Sequence, residues 1–251
     1  MKIVVLWAGM GRRIQDEYAG MHKALIPLNG EPLLIHLLRN IERAGFTEIV
    51  PILGYESNDL QKALDDYIFK SKYVKCNGGL HIDKVELVYN SEYAGTNNLY
   101  SLICAKDKLN MQDFIVINGD MVFDYRILRD IGRIKGNAIA VDINKYPTQL
   151  DSPRVLIENE RILDIGRHRR IEDATGYAVG IYKFASTFSE EYFEIGEKIC
   201  KERPQAGYHE PLELVLSRIE FFPSITKQYS WMDVDEKQDV KRAERMLLNL
   251  R

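Results

Sequence analysis

An α/β fold is predicted, with a parallel sheet and crossover helices followed by a smaller, partly antiparallel lobe. Strand-like runs of branched apolar residues alternate with amphipathic helical runs through the first half of the chain. Beyond about residue 142 the texture changes, and short strands face each other across a tight turn. At 251 residues the chain is long enough to bury one large core, and no repeat, low-complexity tract or linker divides it.

Taken in order, "KIVVLW" at 2–7 is apolar and β-branched, as a strand buried on both faces should be. "KALIPL" at 23–28 predicts a short extended run. Leu33, Leu34, Leu37, Leu38 and Ile41 recur at helical spacing, and Gly45 marks the stop. "TEIVPIL" predicts the next strand, and "SNDLQKALDDYIF" a helix capped by Ser57 or Asn58. Residues 66–83, with Asn77, Gly78 and Gly79, suggest a surface excursion. "KVELVYN", "TNNLYSLICAKDKL" and "DFIVINGD" continue the alternation as strand, helix and strand. "SPRVLIENERILDIG" predicts a hairpin about Glu158–Asn159–Glu160. "TGYAVGIYKF" adds a strand, "SEEYFEIGEKICKE" a helix, and "EKQDVKRAERMLLNL" a final amphipathic helix.

Bulk properties exclude several function classes. A net charge of −3 provides no global field for nucleic acid or an anionic membrane, so any anion must be caught by a local cluster. Cys76, Cys104 and Cys200 are far apart and odd in number, which fits a reduced cytoplasm rather than a disulfide framework. His22, His36, His81, His168 and His209 show no zinc-site spacing with them. The first apolar run stops at Gly9, too short for a signal peptide or a membrane span.

Five stretches can carry chemistry. Gly9 and Gly11 allow backbone N–H groups close to an anion, and Arg12, Arg13 and Lys23 can add charge. Alone, such a turn is also explained by packing. Asn118, Gly119 and Asp120 end an apolar strand, where open α/β sheets place ligands, and Asp120 is suited to hold Mg²⁺ or to cap a helix. Asp124 is better placed for capping. Asp233 and Asp235 share one face of an extended segment with Val234 on the other, so one can bind metal while a neighbour, Asp239 included, caps the last helix. Thr96, Asn97 and Asn98 suit a turn and cap by default, and a base, ribose or substrate otherwise. Arg161, Arg167, His168, Arg169 and Arg170 form a basic turn, either solvated or a seat for a second anion, with Arg167 the best candidate.

In this order the pieces resemble the nucleoside-triphosphate transferase family, also called sugar nucleotidyltransferases. Its L-A-A-G-x-G-x-R and P-K-x-L motifs align with 6–13 and 22–25, so Arg13 and Lys23 are the motif cations. Trp7 stands where the family has alanine, and His22 where it has proline. The resemblance implies a Rossmann-like (GT-A-like) mixed, mainly parallel sheet flanked by helices, with a smaller partly antiparallel substrate lobe. It implies one domain over 1–251, with a nucleotide-binding half (1–142), an acceptor lobe (143–230), and a metal-ligand segment and helix (231–251). Arg13, Lys23, Asp120 and Asp235 become the catalytic set, with Mg²⁺ on Asp120 and Asp235. Leu6, Trp7, Ala8, Gly9, Met10, Gly11, Arg12, Thr96, Asn97, Asn98 and Gly119 complete the nucleotide site. Asn98, Arg167, Gly176, Tyr177 and Glu210 would receive the acceptor.

"NSEYAGTNNLYSL" is similar to the phosphocholine and inositol-1-phosphate cytidylyltransferase branch, which implies CTP and a phosphorylated small alcohol or phosphonate as substrates. The acceptor oxygen is already ionised and attacks the α-phosphorus in line, so no general base is needed and pyrophosphate leaves. The alternatives are a sugar-1-phosphate nucleotidyltransferase using UTP, dTTP or GTP, a glycosyltransferase using Asp233 and Asp235 as its metal motif, and a non-catalytic nucleotide-sensing subunit. A homodimer is left open.

Overall fold

Branched apolar residues at 2–7 do form the predicted first strand, β1 (Lys2–Trp7), at the centre of the sheet. The structure is a computed structural model and describes all residues except 15–16, 19, 74–80, 145–151, 168–169, 171–172 and 251. After β1 come two 3₁₀ turns, Arg12–Ile14 and Lys23–Leu25, then the minimal hairpin of β2 (Pro27–Leu28) and β3 (Glu31–Pro32). Helix α1 (Leu33–Arg43), β4 (Glu48–Leu53) and α2 (Ser57–Tyr73) follow. Next are β5 (Lys84–Val85), β6 (Val88–Tyr89), α3 (Asn98–Cys104), α4 (Lys106–Leu109), β7 (Phe114–Asn118), β8 (Met121–Phe123) and α5 (Tyr125–Arg133). The remainder is β9 (Asn137–Asp142), β10 (Arg154–Glu158), β11 (Arg161–Gly166), β12 (Gly176–Phe184), α6 (Ser186–Glu202), α7 (Glu210–Glu213), β13 (Phe221–Ile225), β14 (Trp231–Asp233) and α8 (Lys237–Asn249).

The main sheet is mixed. β7, β1 and β4 run parallel at its centre, while β12 is antiparallel to both β7 and β9. β10 and β11 extend one end as the predicted hairpin. Its turn residues Asn159 and Glu160 take left-handed φ values of 50° and 61°, as a two-residue connection of right-twisted strands requires. Alternation sends Ile3, Val5 and Trp7 to the face covered by α1, α2 and α5, and Val4 and Ala8 to the face covered by α3 and α6. Among the described residues, no helix is long and apolar enough to cross a membrane.

Some elements differ from expectation for identifiable reasons. Residues 23–25 are a 3₁₀ turn rather than extended, because the His22 ring accepts the Ala24 N–H. The strand predicted at 84–90 is split into β5 and β6. Ile49 and Leu53 accept hydrogen bonds from Glu86 and Asn90, so odd-numbered residues of β4 face that edge, and Pro51 among them has no N–H to give. The helix predicted over 96–109 begins only after Asn97, whose side chain caps it, and breaks at Ala105. Ser57, offered as a cap, is the first residue of α2. Residues 66–73 extend α2 instead of forming a surface excursion, and Cys76 and Asn77–Gly79 lie outside the described residues.

The strand ends that carry the site are locked together by Trp7. Its Nε1–H donates to the Gly119 carbonyl at 2.8 Å while the ring lies buried on the α1 side of the sheet. A Cβ at Gly119 would fall 2.2 Å from Trp7 Cδ1 and 2.3 Å from the Leu6 carbonyl oxygen. Glycine is required here for space. Gly119→Ala is expected to lower unfolding free energy by about 2 kcal/mol, the cost of overpacking a tight contact. An unchanged denaturation midpoint would refute this account.

Candidate functional site

Two parallel strands, β1 and β7, end side by side with Leu6 opposite Asn118, so the loops that follow them meet at one edge of the sheet. One cavity there, about 290 Å³, is lined by Gly9, Gly11, Arg12, Arg13, His22, Lys23, Ala24, Asp120 and Asp235, with Leu6, Trp7 and Gly119 at its base. A second, about 180 Å³, is lined by Ala8, Tyr93, Thr96, Asn97, Asn98, Ser101 and Asn118. Leu6, Gly9, Gly119 and Asp120 line both, so the two form one bent cleft.

Lys23 is the junction of the first cavity. Its Nζ donates to Asp120 Oδ2 at 2.7 Å and to Asp235 Oδ1 at 2.6 Å, and its side chain is almost fully buried. Burial alone would lower the pKa of this ammonium, but the charges of Asp120 and then Asp235 reverse that, and the net shift is upward. Gly11, at φ 59°, lets the loop pass close to Lys23, since a Cβ there would sit 3.2 Å from Lys23 Cβ. Arg13 Nη2 reaches Asp235 Oδ2 at 3.1 Å. Arg12 turns outward, toward the Ala94 carbonyl at 3.4 Å.

Asp120 and Asp235 are distant in sequence and are joined by a backbone ladder. β14 pairs antiparallel with β8, placing Asp233 opposite Met121 and Trp231 opposite Phe123. One step further, the Val234 N–H donates to the Asp120 carbonyl at 2.8 Å while Val234 is buried beneath. Asp233 and Asp235 therefore share the cleft side, as alternation requires. Burial, reinforced by the charges of Asp120 and Asp235, holds the Asp233 carboxyl well above the usual carboxylate range. Asp239 fixes the segment from below, accepting the N–H groups of Asp235 (3.1 Å) and Glu236 (2.9 Å) in a capping box that starts α8. Asp124 caps α5, leaving Asp120 to the cleft.

The two departures from the motif have structural roles. Trp7 lines the cationic cavity and not the asparagine-lined one. His22 replaces the rigidity of proline with hydrogen bonds, its Nδ1 accepting from Ala24 N at 3.0 Å and its Nε2–H donating to the Trp7 carbonyl at 2.9 Å.

The proposed acceptor residues are placed differently. Asn98 lines the second cavity. Arg167, Gly176, Tyr177 and Glu210 line neither. Arg167 is exposed, and its carbonyl accepts from Arg154 Nη1 at 2.6 Å. Gly176 opens β12 against Asp142, and Tyr177 beside it is buried. Glu210 Oε1 accepts the Gly207 N–H at 2.6 Å and Oε2 pairs with Arg203. His168 and Arg169 lie outside the described residues. Tyr93, Ser101 and Asn118 are cavity residues to which the sequence assigned no binding role. For Asn118 a signal existed, since it directly precedes Gly119–Asp120.

Residues 3–154 match the sequence profile of the MobA-like NTP transferase domain. Over 247 residues the chain is 24% identical to the bifunctional IPC transferase and DIPP synthase of Aquifex aeolicus, covering 98% of this chain and 51% of that protein. The chain spans about half the length of the curated relatives it matches. Among solved structures, the CTP:phosphocholine cytidylyltransferase of Streptococcus pneumoniae superposes with a TM-score of 0.76 at 21% identity, covering 98% of both chains. A putative glucose-1-phosphate thymidylyltransferase of Bacillus anthracis superposes with a TM-score of 0.78 at 18% identity, covering 98% of this chain and 94% of that one. These two likenesses establish the fold.

The buried His22 gives the site a pH signature. Desolvation lowers its pKa to about 4, with the charge of Lys23 acting in the same direction. A base whose pKa falls on folding stabilises the fold fully above its unfolded value, near 6.5, and loses that contribution as pH drops toward 4. The loss is about 3 kcal/mol at most. Chemical denaturation of wild type and His22→Gln at pH 7 and pH 4.5 is expected to show the wild type losing more stability. Parallel losses would remove His22 from the account.

Proposed function

The chain belongs to the MobA-like NTP transferase family, and from that premise we propose that it transfers a nucleotidyl group from an NTP, CTP by our reading, to the phosphate or phosphonate oxygen of a small phosphorylated acceptor, releasing pyrophosphate. One observation carries this. Arg13, Lys23, Asp120 and Asp235 converge in a single cavity that continues into a second, polar one beside the same glycines.

In that cleft the work of the chain is to bring two anions together and hold them in line. Arg13 and Lys23 supply fixed positive charge to the triphosphate, and the backbone around Gly9 and Gly11 allows close approach to its oxygens. Asn118, Asn98 and Tyr93 line the part suited to the nucleoside. No side chain is asked to remove a proton, because the attacking oxygen is ionised at neutral pH.

The donor set also suits Mg²⁺. Among the described residues no group of three or more His, Cys, Asp or Glu side chains is set to hold a metal by itself. Mg²⁺ is typically held by one or two carboxylates together with substrate phosphates. Asp120 and Asp235 already converge on one cation, the Lys23 ammonium, and would be its protein ligands. When bound there it supplies charge stabilisation at the reacting phosphate. The CTP assignment and the alcohol-phosphate class are supported by relatives: one curated relative is named a choline-phosphate cytidylyltransferase, and one solved neighbour a CTP:phosphocholine cytidylyltransferase.

The test is pyrophosphate release from each of four NTPs with Mg²⁺ and a panel of acceptors: phosphocholine, inositol phosphate, aminoalkylphosphonates and sugar 1-phosphates. Release of nucleoside diphosphate instead would point to glycosyl transfer. Asp120→Asn is expected to cut turnover by at least ~10³-fold, the scale of losing a principal electrostatic stabiliser. The variant should still fold, because Lys23 keeps Asp235 at 2.6 Å. Near-normal pyrophosphate release from it would sink the assignment of Asp120.

A further inference from the structure

An asparagine amide offers one acceptor oxygen and two N–H donors, and its neighbours decide which end a ligand meets. In the second cavity that choice is already made. Asn98 Oδ1 accepts the backbone N–H of Tyr208 at 2.9 Å, and Asn118 Oδ1 accepts the Tyr208 hydroxyl at 3.0 Å. Neither Nδ2 has a hydrogen-bond partner among the described residues. The side chains of Thr96, Asn97 and Ser101 are engaged locally. Thr96 Oγ1 accepts from Asn90 and donates to the Glu92 carbonyl, and Asn97 accepts the Asn98 N–H and donates to the Gln205 carbonyl. Ser101 Oγ accepts from Asn90 and reaches the Asn97 carbonyl. What Asn98 and Asn118 leave for a ligand is N–H only.

Tyr208 is held firmly enough to impose this. Its loop is laced to the start of α3, where Asn97 N donates to the Pro204 carbonyl at 3.1 Å. Tyr192 donates to the Tyr208 carbonyl at 2.7 Å, and the Tyr182 ring meets the Tyr208 ring edge-on at 4.8 Å. Tyr208 is 4% exposed, and burial pushes its phenol well above the ordinary value, so the hydroxyl stays a donor. Gly180, at φ 77°, clears the space for the Asn118 amide, since a Cβ there would lie 2.6 Å from Nδ2.

We propose that Asn98 and Asn118, oriented by Tyr208, select cytosine over uracil in the nucleotide. Cytosine presents adjacent acceptors, O2 and the unprotonated N3, whereas uracil carries N3–H, a donor that would face a donor. A donor left against a donor inside a cavity loses its hydrogen bond without recovering water, which is a strong basis for rejection. Tyr208 is then a positioning residue acting through both asparagines. The inference rests on the nucleotide-binding reading of the cleft and adds a base specificity to it.

Equilibrium binding of CTP and UTP, each with Mg²⁺, to wild type, Tyr208→Phe and Asn98→Asp tests it, alongside steady-state rates. Wild type is expected to bind CTP at least ~10-fold more tightly than UTP. Tyr208→Phe keeps the ring packing but frees the Asn118 amide to turn. It should reduce the CTP:UTP preference roughly tenfold, through KM for CTP rather than kcat. Asn98→Asp replaces donors with acceptors and should move the preference toward UTP. Equal weakening of both nucleotides in Tyr208→Phe, or wild type that binds UTP as well as CTP, overturns the inference and leaves nucleotidyl transfer standing. Selective CTP binding without pyrophosphate release would do the reverse.

Discussion

The Lys23 ammonium, shared between Asp120 and Asp235, is the interaction on which the cleft depends. Two like charges about 4 Å apart repel by about 4 kcal/mol at an effective dielectric of about 20. Bringing two carboxylates to one point therefore needs a cation at that point. Burying a lysine is itself costly, and its hydrogen bonds to the two carboxylates offset that cost. Each member of the triad makes the position of the others affordable. A side chain so placed also sets the character of the pocket: strongly polarised, nearly balanced in charge, and ready to exchange an internal partner for an external one.

The surrounding architecture exists to hold that triad. Trp7 ties the end of β1 to the turn after β7, His22 ties the lysine-bearing turn back to Trp7, and the β8–β14 ladder delivers Asp235. All three devices anchor backbone rather than the charged tips of Lys23, Asp120 and Asp235.

Much of this was legible in the sequence where cause and effect are local. β-branched runs marked the parallel core, helical spacing marked α1, an amphipathic pattern marked α8, and the glycine turn, Arg13 and Lys23 line one cavity. Asp233 and Asp235 share a face because alternation about Val234 is a local property, whereas their meeting with Asp120 depends on the long-range β8–β14 pairing. The split of β5 from β6 was hidden because it follows from a missing N–H at Pro51 on the adjacent strand. Residues 23–25 escaped because a histidine side chain, not backbone propensity, closes the turn. Tyr208 could not be read at all. Its partners lie 110 and 90 residues away, and nothing in "QAGYHE" marks it as more than a loop. The sequence offered Thr96, Asn97 and Asn98 together for the nucleotide, with Asn98 also for the acceptor, and the geometry shows the side chains of the first two engaged by neighbouring groups.

The pairing of β8 with β14 has a consequence for how the molecule comes into being. A nascent chain emerging from the ribosome would complete its glycine turn, its lysine and Asp120 long before residues 231–235 appear. During that interval Lys23 has one carboxylate partner instead of two, and β8 has no antiparallel neighbour. Closing so long a loop is a late and entropically demanding event. Asp235 therefore joins Lys23 and Asp120 only when β14 docks on β8.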